Sequence, residues 1–178
     1  KLDIQRINRR TDDPELKDII GDLLHLAQES IDTVRTISED LRPGALDHLG
    51  LSAALQAMLR QFSERTEVAS QLQAEGFEAQ LSQARATATY RICQEALTNI
   101  ARHAGATQVI LRLECSGGWL NVEIEDNGRG LASLTPTGKS IGLVSMAERA
   151  REFGGSLASR PGAAGGTCLI LRLPLEAH

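Results

Sequence analysis

Apolar residues set the first pattern in the chain. Leu16, Ile20, Leu23, Ala27, Val34, Ile37 and Leu41 follow alternating intervals of four and three, with Ser30 filling the one gap. That is a heptad seam. Ile19, Leu24, Leu26 and Ile31 widen it, which suits a multi-helix bundle better than a two-stranded coil. The start of this helix is marked by Asp13 as N-cap, Pro14 in the first turn and Glu15 beside the helix dipole. Before it, Leu2, Ile4 and Ile7 among charges look like the tail of another helix. Two helices joined by "RTDDP" form an antiparallel hairpin, and two copies of the hairpin bury the stripe as a four-helix bundle.

At "RPGALDHLG" Pro43 and Gly44 end the seam, and a domain boundary is placed there: 1–43 for the hairpin, 44–178 for a second domain. A helix from about Leu51 to Thr66 carries Leu55, Met58, Leu59 and Phe62 on one side. A short strand is expected over Val68 to Leu72, and a helix from about Gln83 to Ala104, capped by Gly105. The period then drops to two. Val109, Leu111 and Leu113 alternate with polar neighbours, as do Leu120, Val122 and Ile124, and "CSGG" joins the two runs as a hairpin. A Gly/Ser/Thr-rich stretch comes next (127–140), then a helix through "LVSMAERAREF" to Gly154. Strands near Ser156–Ser159 and Thr167–Leu173 flank "RPGAAGG". Helices come early and strands late, so this half is α+β rather than an alternating βαβ series.

The 178 residues suffice for one core plus an appendage. Nineteen basic against 23 acidic residues give a net charge of -4, and aromatics are only 3%. Neither favours direct nucleic-acid binding. Cys93, Cys115 and Cys168 are odd in number, far apart and set in apolar runs, which reads as reduced core cysteine in a cytoplasmic domain. No apolar stretch is long enough to span a bilayer, but the chain opens on Lys1 and is taken as a piece of a longer protein, so this says little about the parent's membrane attachment.

Two motifs suggest chemistry and fail on spacing. "TGKS" at 137–140 needs a glycine at 133 to be a phosphate loop, and Ser133 is there. "EIEDNGRG" as a calcium loop would need a carboxylate at 134, where Leu134 stands. Asn127-Gly128 has the composition of a hairpin turn, but "RGLASLTPTGKS" after it is no second strand. Asp126 instead ends a strand beside a glycine-rich loop, where a carboxylate can accept from an amino group on a base. In "QEALTNIARHA", Cys93, Leu97, Ile100 and Ala104 share a core face, while Glu95, Asn99, Arg102 and His103 form a polar line. Glu95 and Asn99 suit a hydrated divalent metal, and Arg102 and His103 suit phosphate oxygens. A plain solvated helix face has the same composition.

Taken together, Glu95-x-x-x-Asn99-x-x-Arg102-His103, Asp126-x-Gly128-x-Gly130, Gly142-Leu143 and Gly166-Thr167 resemble, in order, the N, G1, G2 and GT boxes of the GHKL (Bergerat-fold) ATPases. "QEALTNIARHAGA", "DNGRG" and "IGLVSMAERAREFGG" are similar to the histidine kinases that include the nitrate, DesK-type and LiaS-type sensors, and "ISEDLRPGALDHLGLSAAL" resembles their junction between dimerisation helix and catalytic domain.

The resemblance implies a helical hairpin of a dimeric four-helix bundle (residues 1–43) and then a Bergerat-type α/β sandwich (44–178) that binds ATP and Mg²⁺. It implies that Asp126 takes the adenine amino group with Thr167 in the same network, and that Asn99 ligates Mg²⁺. Glu95 orients or activates at the γ-phosphate, and Arg102 and His103 help hold phosphates. Gly128 and Gly130 admit the base, a lid over about 127–141 closes, and Gly142 and Leu143 begin a helix favourable to anions. It further implies a homodimer, a protein histidine kinase activity, and a response-regulator partner with a helix-turn-helix output. Two departures stand out. Ser140 sits where the family often has glycine. The acceptor motif, His followed by Asp or Glu, is absent: Leu26, Leu49 and Ala104 follow His25, His48 and His103, and His178 ends the chain. The acceptor is therefore expected upstream of Lys1, with residues 1–43 a partial phosphotransfer hairpin. The rival readings are another ATPase of this superfamily, such as an anti-sigma serine kinase, and a non-catalytic dimerisation or regulator-docking module.

Overall fold

The computed structural model describes residues 44–74, 81–130 and 141–175. Apart from Gly44, these belong to the second of two compact units, Ala45–His178. The expected hairpin over 1–43, with His25, and the middle of the expected lid, with Ser140, lie outside the described residues.

In chain order the elements are α1 (Gly44–Thr66), β1 (Ala69–Gln73), α2 (Gln83–Asn99) with a π-helical turn (Ile100–Ala104), β2 (Gln108–Ser116), β3 (Trp119–Asp126), α3 (Ile141–Glu152), β4 (Ser156–Pro161) and β5 (Thr167–Pro174). The sequence places the end of a helix at Pro43-Gly44, yet residues from Gly44 are already helical. The break comes at Gly50, whose φ of 77° and ψ of 173° leave the helical region. Only glycine takes such a φ without strain. Beyond it, Leu51, Leu55, Met58, Leu59 and Phe62 are buried at helical spacing. Glu67, at φ 60°, then turns the chain, its N–H donating to the Ser63 carbonyl at 2.9 Å. The Ser70 hydroxyl donates to the Leu59 carbonyl at 3.0 Å and so pins β1 to α1.

The five strands are ordered β1-β2-β3-β5-β4. β2 and β3 form the expected hairpin, with Ser116 opposite Trp119. Gly117 and Gly118 between them have φ of 60° and 80°, as a two-residue turn of matching twist requires. β1 pairs with β2 in parallel, unlike the remaining pairs. A parallel pair needs a crossover, and α2 supplies it. The α+β class holds, but one βαβ unit sits inside it and carries the polar helix.

Strand period sorts the two faces. Val109, Leu111, Leu113, Leu120, Val122, Ile124, Leu169, Leu171 and Leu173 turn inward onto Leu55, Leu59, Ile92 and Met146 of the helices. Full burial of each leucine contributes about 2 kcal/mol. On the other face Arg112 lies 3.5 Å from Glu123 and 2.7 Å from Glu125, while Arg172 stacks 5.0 Å from the Trp119 ring centre.

Candidate nucleotide site

The alternation that buries Leu120, Val122 and Ile124 puts the next inward position at Asp126, the last residue of β3. A carboxylate thus ends a hydrophobic column, only 5% exposed. Such burial is costly unless hydrogen bonds replace water. The Gly128 N–H donates to Asp126 Oδ1 at 2.8 Å, and the Thr167 N–H to Oδ2 at 3.3 Å. Each carboxylate oxygen can accept more than one bond, so capacity is left for a further donor.

Glycine is required around this carboxylate. Gly166 has φ 69°, and a Cβ on it would lie 2.5 Å from Asp126 Oδ1 and 2.6 Å from the Gly128 nitrogen. A Cβ on Gly130 would approach the Gly166 carbonyl at 3.0 Å. The 162–166 loop is tied from outside: Ala163 donates its N–H to Glu125 Oε1 at 2.7 Å, while Glu125 Oε2 meets Arg112. The Arg112 guanidinium, then the Ala163 N–H, hold the Glu125 carboxyl below the usual carboxylate range, against a smaller opposing effect of burial.

The other side of the site is built on α2. Ile92, Cys93, Ala96, Leu97 and Ile100 face the core, and Glu95 and Asn99, one turn apart, stay half-exposed. Both side chains meet Gly142 in the first turn of α3. A Cβ there would touch Glu95 Oε1 and lie 3.3 Å from Asn99 Nδ2. Beyond Asn99 the helix widens into the π turn and ends on Gly105 in the left-handed region, φ 59° and ψ 30°. π turns of this kind recur at functional sites.

The structure therefore brings Asp126, Gly128, Gly130, Gly166 and Thr167 together at one place, and Glu95, Asn99 and Gly142 at another. The two join where Gly128 packs against Ala104. Arg102 and His103 stand exposed on the π turn, and their side chains make no hydrogen bond or ion pair among the described residues. Leu143 is half-buried against the core. No group of three or more His, Cys, Asp or Glu able to hold a metal occurs among the described residues. Glu95 and Asn99 offer hard oxygen atoms, and an ion between them would complete its shell from water and phosphate, as Mg²⁺ does.

Three residues escape a reading of the sequence. Asn127 accepts from the Thr107 and Gln108 N–H groups, each at 2.9 Å, and donates from Nδ2 to Thr107 Oγ1 at 2.9 Å. Arg129 donates to the carbonyls of Ala104 and His103. Glu125 anchors the 162–166 loop. An Asn before a Gly signals side-chain bonding to backbone, but partners some 20 residues away leave no local mark.

Known proteins share this sequence and fold. The family model described as histidine kinase-, DNA gyrase B- and HSP90-like ATPase matches residues 84–177. Sensor histidine kinase MctS of Rhizobium johnstonii is 39% identical over 152 residues, covering 84% of this chain and 33% of that protein. Signal transduction histidine-protein kinase/phosphatase DegS of Brevibacillus brevis is 34% identical over 163 residues, covering 92% and 42%. The chain thus spans well under half the length of these curated relatives. Among solved structures, the histidine kinase domain of the Erythrobacter litoralis EL346 blue-light activated histidine kinase has the same fold, with TM-score 0.64 at 20% identity over 97% of this chain and 93% of that one. Since the family match covers more than half of the chain, and the strand end and helix end it spans already meet around the glycines, this chain belongs to the histidine kinase-, DNA gyrase B- and HSP90-like ATPases.

Proposed function

We propose that this chain is the ATP-binding catalytic region of a dimeric, cytoplasmic part of a sensor histidine kinase. It binds Mg-ATP and passes the γ-phosphoryl group to a histidine outside these residues, and thence to an aspartate of a response regulator with a helix-turn-helix output. The observation that carries the reading is the buried Asp126 carboxylate, which keeps acceptor capacity after taking two main-chain N–H groups beside the close-packed Gly128 and Gly166. A base amino group is the donor that fits, and Thr167 shares the network. Gly128 and Gly130, packed without side chains against Ala104 and Gly166, let the backbone pass close to the base.

On the other side Asn99 offers its carboxamide oxygen to Mg²⁺, and Glu95 orients or activates the acceptor at the γ-phosphate. Arg102 and His103, exposed at the helix end, reach phosphate oxygens, and Gly142-Leu143 opens α3 toward the same charge. Mg²⁺, when bound, neutralises phosphate charge. The chain's own part is positioning and charge stabilisation. In the transfer an imidazole nitrogen bonds to the γ-phosphorus as the bond to the β–γ bridging oxygen breaks, and ADP leaves with that electron pair. Among the described residues no helix is long and apolar enough to cross a membrane.

The test is calorimetric titration of Mg-ATP into the wild-type chain and into Asp126→Asn. Exchange of a carboxylate oxygen for an amide donor facing the base should weaken binding at least about tenfold. Equal affinities would reject the assignment.

A further inference from the structure

The base carboxylate and the Glu95–Asn99 pair sit on different elements, and the loop from Asn127 to Gly130 packs against the end of the helix between them. Asn127 clips one side of it to Thr107 and Gln108. On the other side Arg129 does the holding: its main-chain N–H donates to the Ala104 carbonyl at 2.9 Å, and its Nε–H donates to the His103 carbonyl. Both carbonyls belong to the last turn of the π extension, where end carbonyls lack partners within the helix. A helix end usually finds its cap in the next few residues. Here the guanidinium arrives from 26 residues further on, placing positive charge at the negative end of the helix dipole.

Both His103 and Arg129 are exposed. Water can replace the guanidinium at the His103 carbonyl, so the side-chain bond adds little to stability. What it does fix is geometry. The close packing of Gly128 on Ala104 stops the loop from moving inward, and Arg129 stops it from lifting away.

We infer that Arg129 is a positioning residue for nucleotide binding. Through the His103 and Ala104 carbonyls it holds the loop after Asp126 against the end of the helix that carries Glu95 and Asn99, so that the base end and the phosphate end of one nucleotide are engaged together. This rests on the Mg-ATP reading of the site.

The experiment compares wild type, Arg129→Ala and Arg129→Lys by titration with Mg-ATP and, separately, with ADP in the presence of a chelator, alongside thermal melts. Arg129→Ala should lose about tenfold in Mg-ATP affinity and no more than about threefold for metal-free ADP, with its melt unchanged, because only Mg-ATP spans both ends. Arg129→Lys, which keeps a cation and a donor at the helix end, should recover part of the loss. If Arg129→Ala melts early, Arg129→Gln takes its place with the same expectations. Unchanged Mg-ATP affinity in the variant would overturn the inference, and so would equal losses for both ligands. A wild-type chain that binds neither ligand would instead reject the nucleotide site, and the inference with it.

Discussion

Gly142 lies directly against the carboxylate of Glu95, close enough that a methyl group on Gly142 would collide with Oε1 while reaching 3.3 Å from Asn99 Nδ2. The colliding atom is the free end of a long side chain, so the fold can yield by swinging Glu95 aside. Gly142→Ala should therefore melt within a few degrees of wild type but bind Mg-ATP about tenfold more weakly. Parallel melting and titration would check this, and a variant with unaltered affinity would count against Glu95 and Asn99 as the phosphate side.

Gly166 presents the opposite case. Its φ of 69° is unfavourable to any side chain, and a Cβ would stand 2.6 Å from the Gly128 nitrogen and also strike the Asp126 backbone carbonyl. Backbone at the end of β3 cannot swing away. Gly166→Ala should cost about 2–4 kcal/mol, read as a lower urea midpoint. A midpoint equal to that of Gly142→Ala would contradict the distinction drawn between the two sites.

Glu125 gives stability a pH dependence. The Arg112 guanidinium first, then the Ala163 N–H, depress its pKa in the folded chain. A carboxylate depressed on folding stabilises fully above its unfolded value of about 4.3, and that contribution fades as the pH falls through the folded value. At pH 7 Glu125→Gln should be about 1 kcal/mol less stable than wild type, and in acid, as the pH falls through the depressed folded value, the two should converge. Urea unfolding at pH 7 and in acid tests this. A gap that persists in acid would mean that the ion pair is not its source.

The cysteines should differ in reactivity. Burial pushes the Cys93 thiol up to about 12, and Cys168, also buried, is raised for the same reason first. Cys115 is only half-buried. A thiol reagent at pH 8 should leave Cys93 and Cys168 unlabelled in the native chain and modify all three cysteines in denaturant. Mass spectrometry of the labelled peptides would decide, and rapid native labelling of Cys93 would contradict its packing.

How far the fold and the site are legible in the residues depends on the range of the interaction. Strands β2 and β3 come from the alternation of Val109, Leu111, Leu113 and Leu120, Val122, Ile124, and the same alternation, carried one step further, puts Asp126 on the inner face. Gly105 marks the helix end because only its left-handed turn is needed there. The π turn before it is not legible, since Ile100–Ala104 has no residue that disfavours a plain α-helix. Nor is the parallel pairing of β1 with β2, which depends on where α2 packs rather than on the five residues of β1. Asn127, Arg129 and Glu125 look like ordinary loop and surface residues until their distant partners are known.

β3 runs through the middle of the sheet, with β2 on one flank and β5 on the other. Strands so placed open only when the whole unit opens, whereas edge elements and helix ends fray separately. Asp126 ends that strand, and one of its two hydrogen-bond donors, Thr167, begins the neighbouring β5. The part of the site proposed to take the base is therefore as persistent as the domain itself, and no ligand is needed to assemble it. Among the described residues, any readiness to open or close that nucleotide confers falls to the Gly142 side, where side-chain tips and a helix start can move.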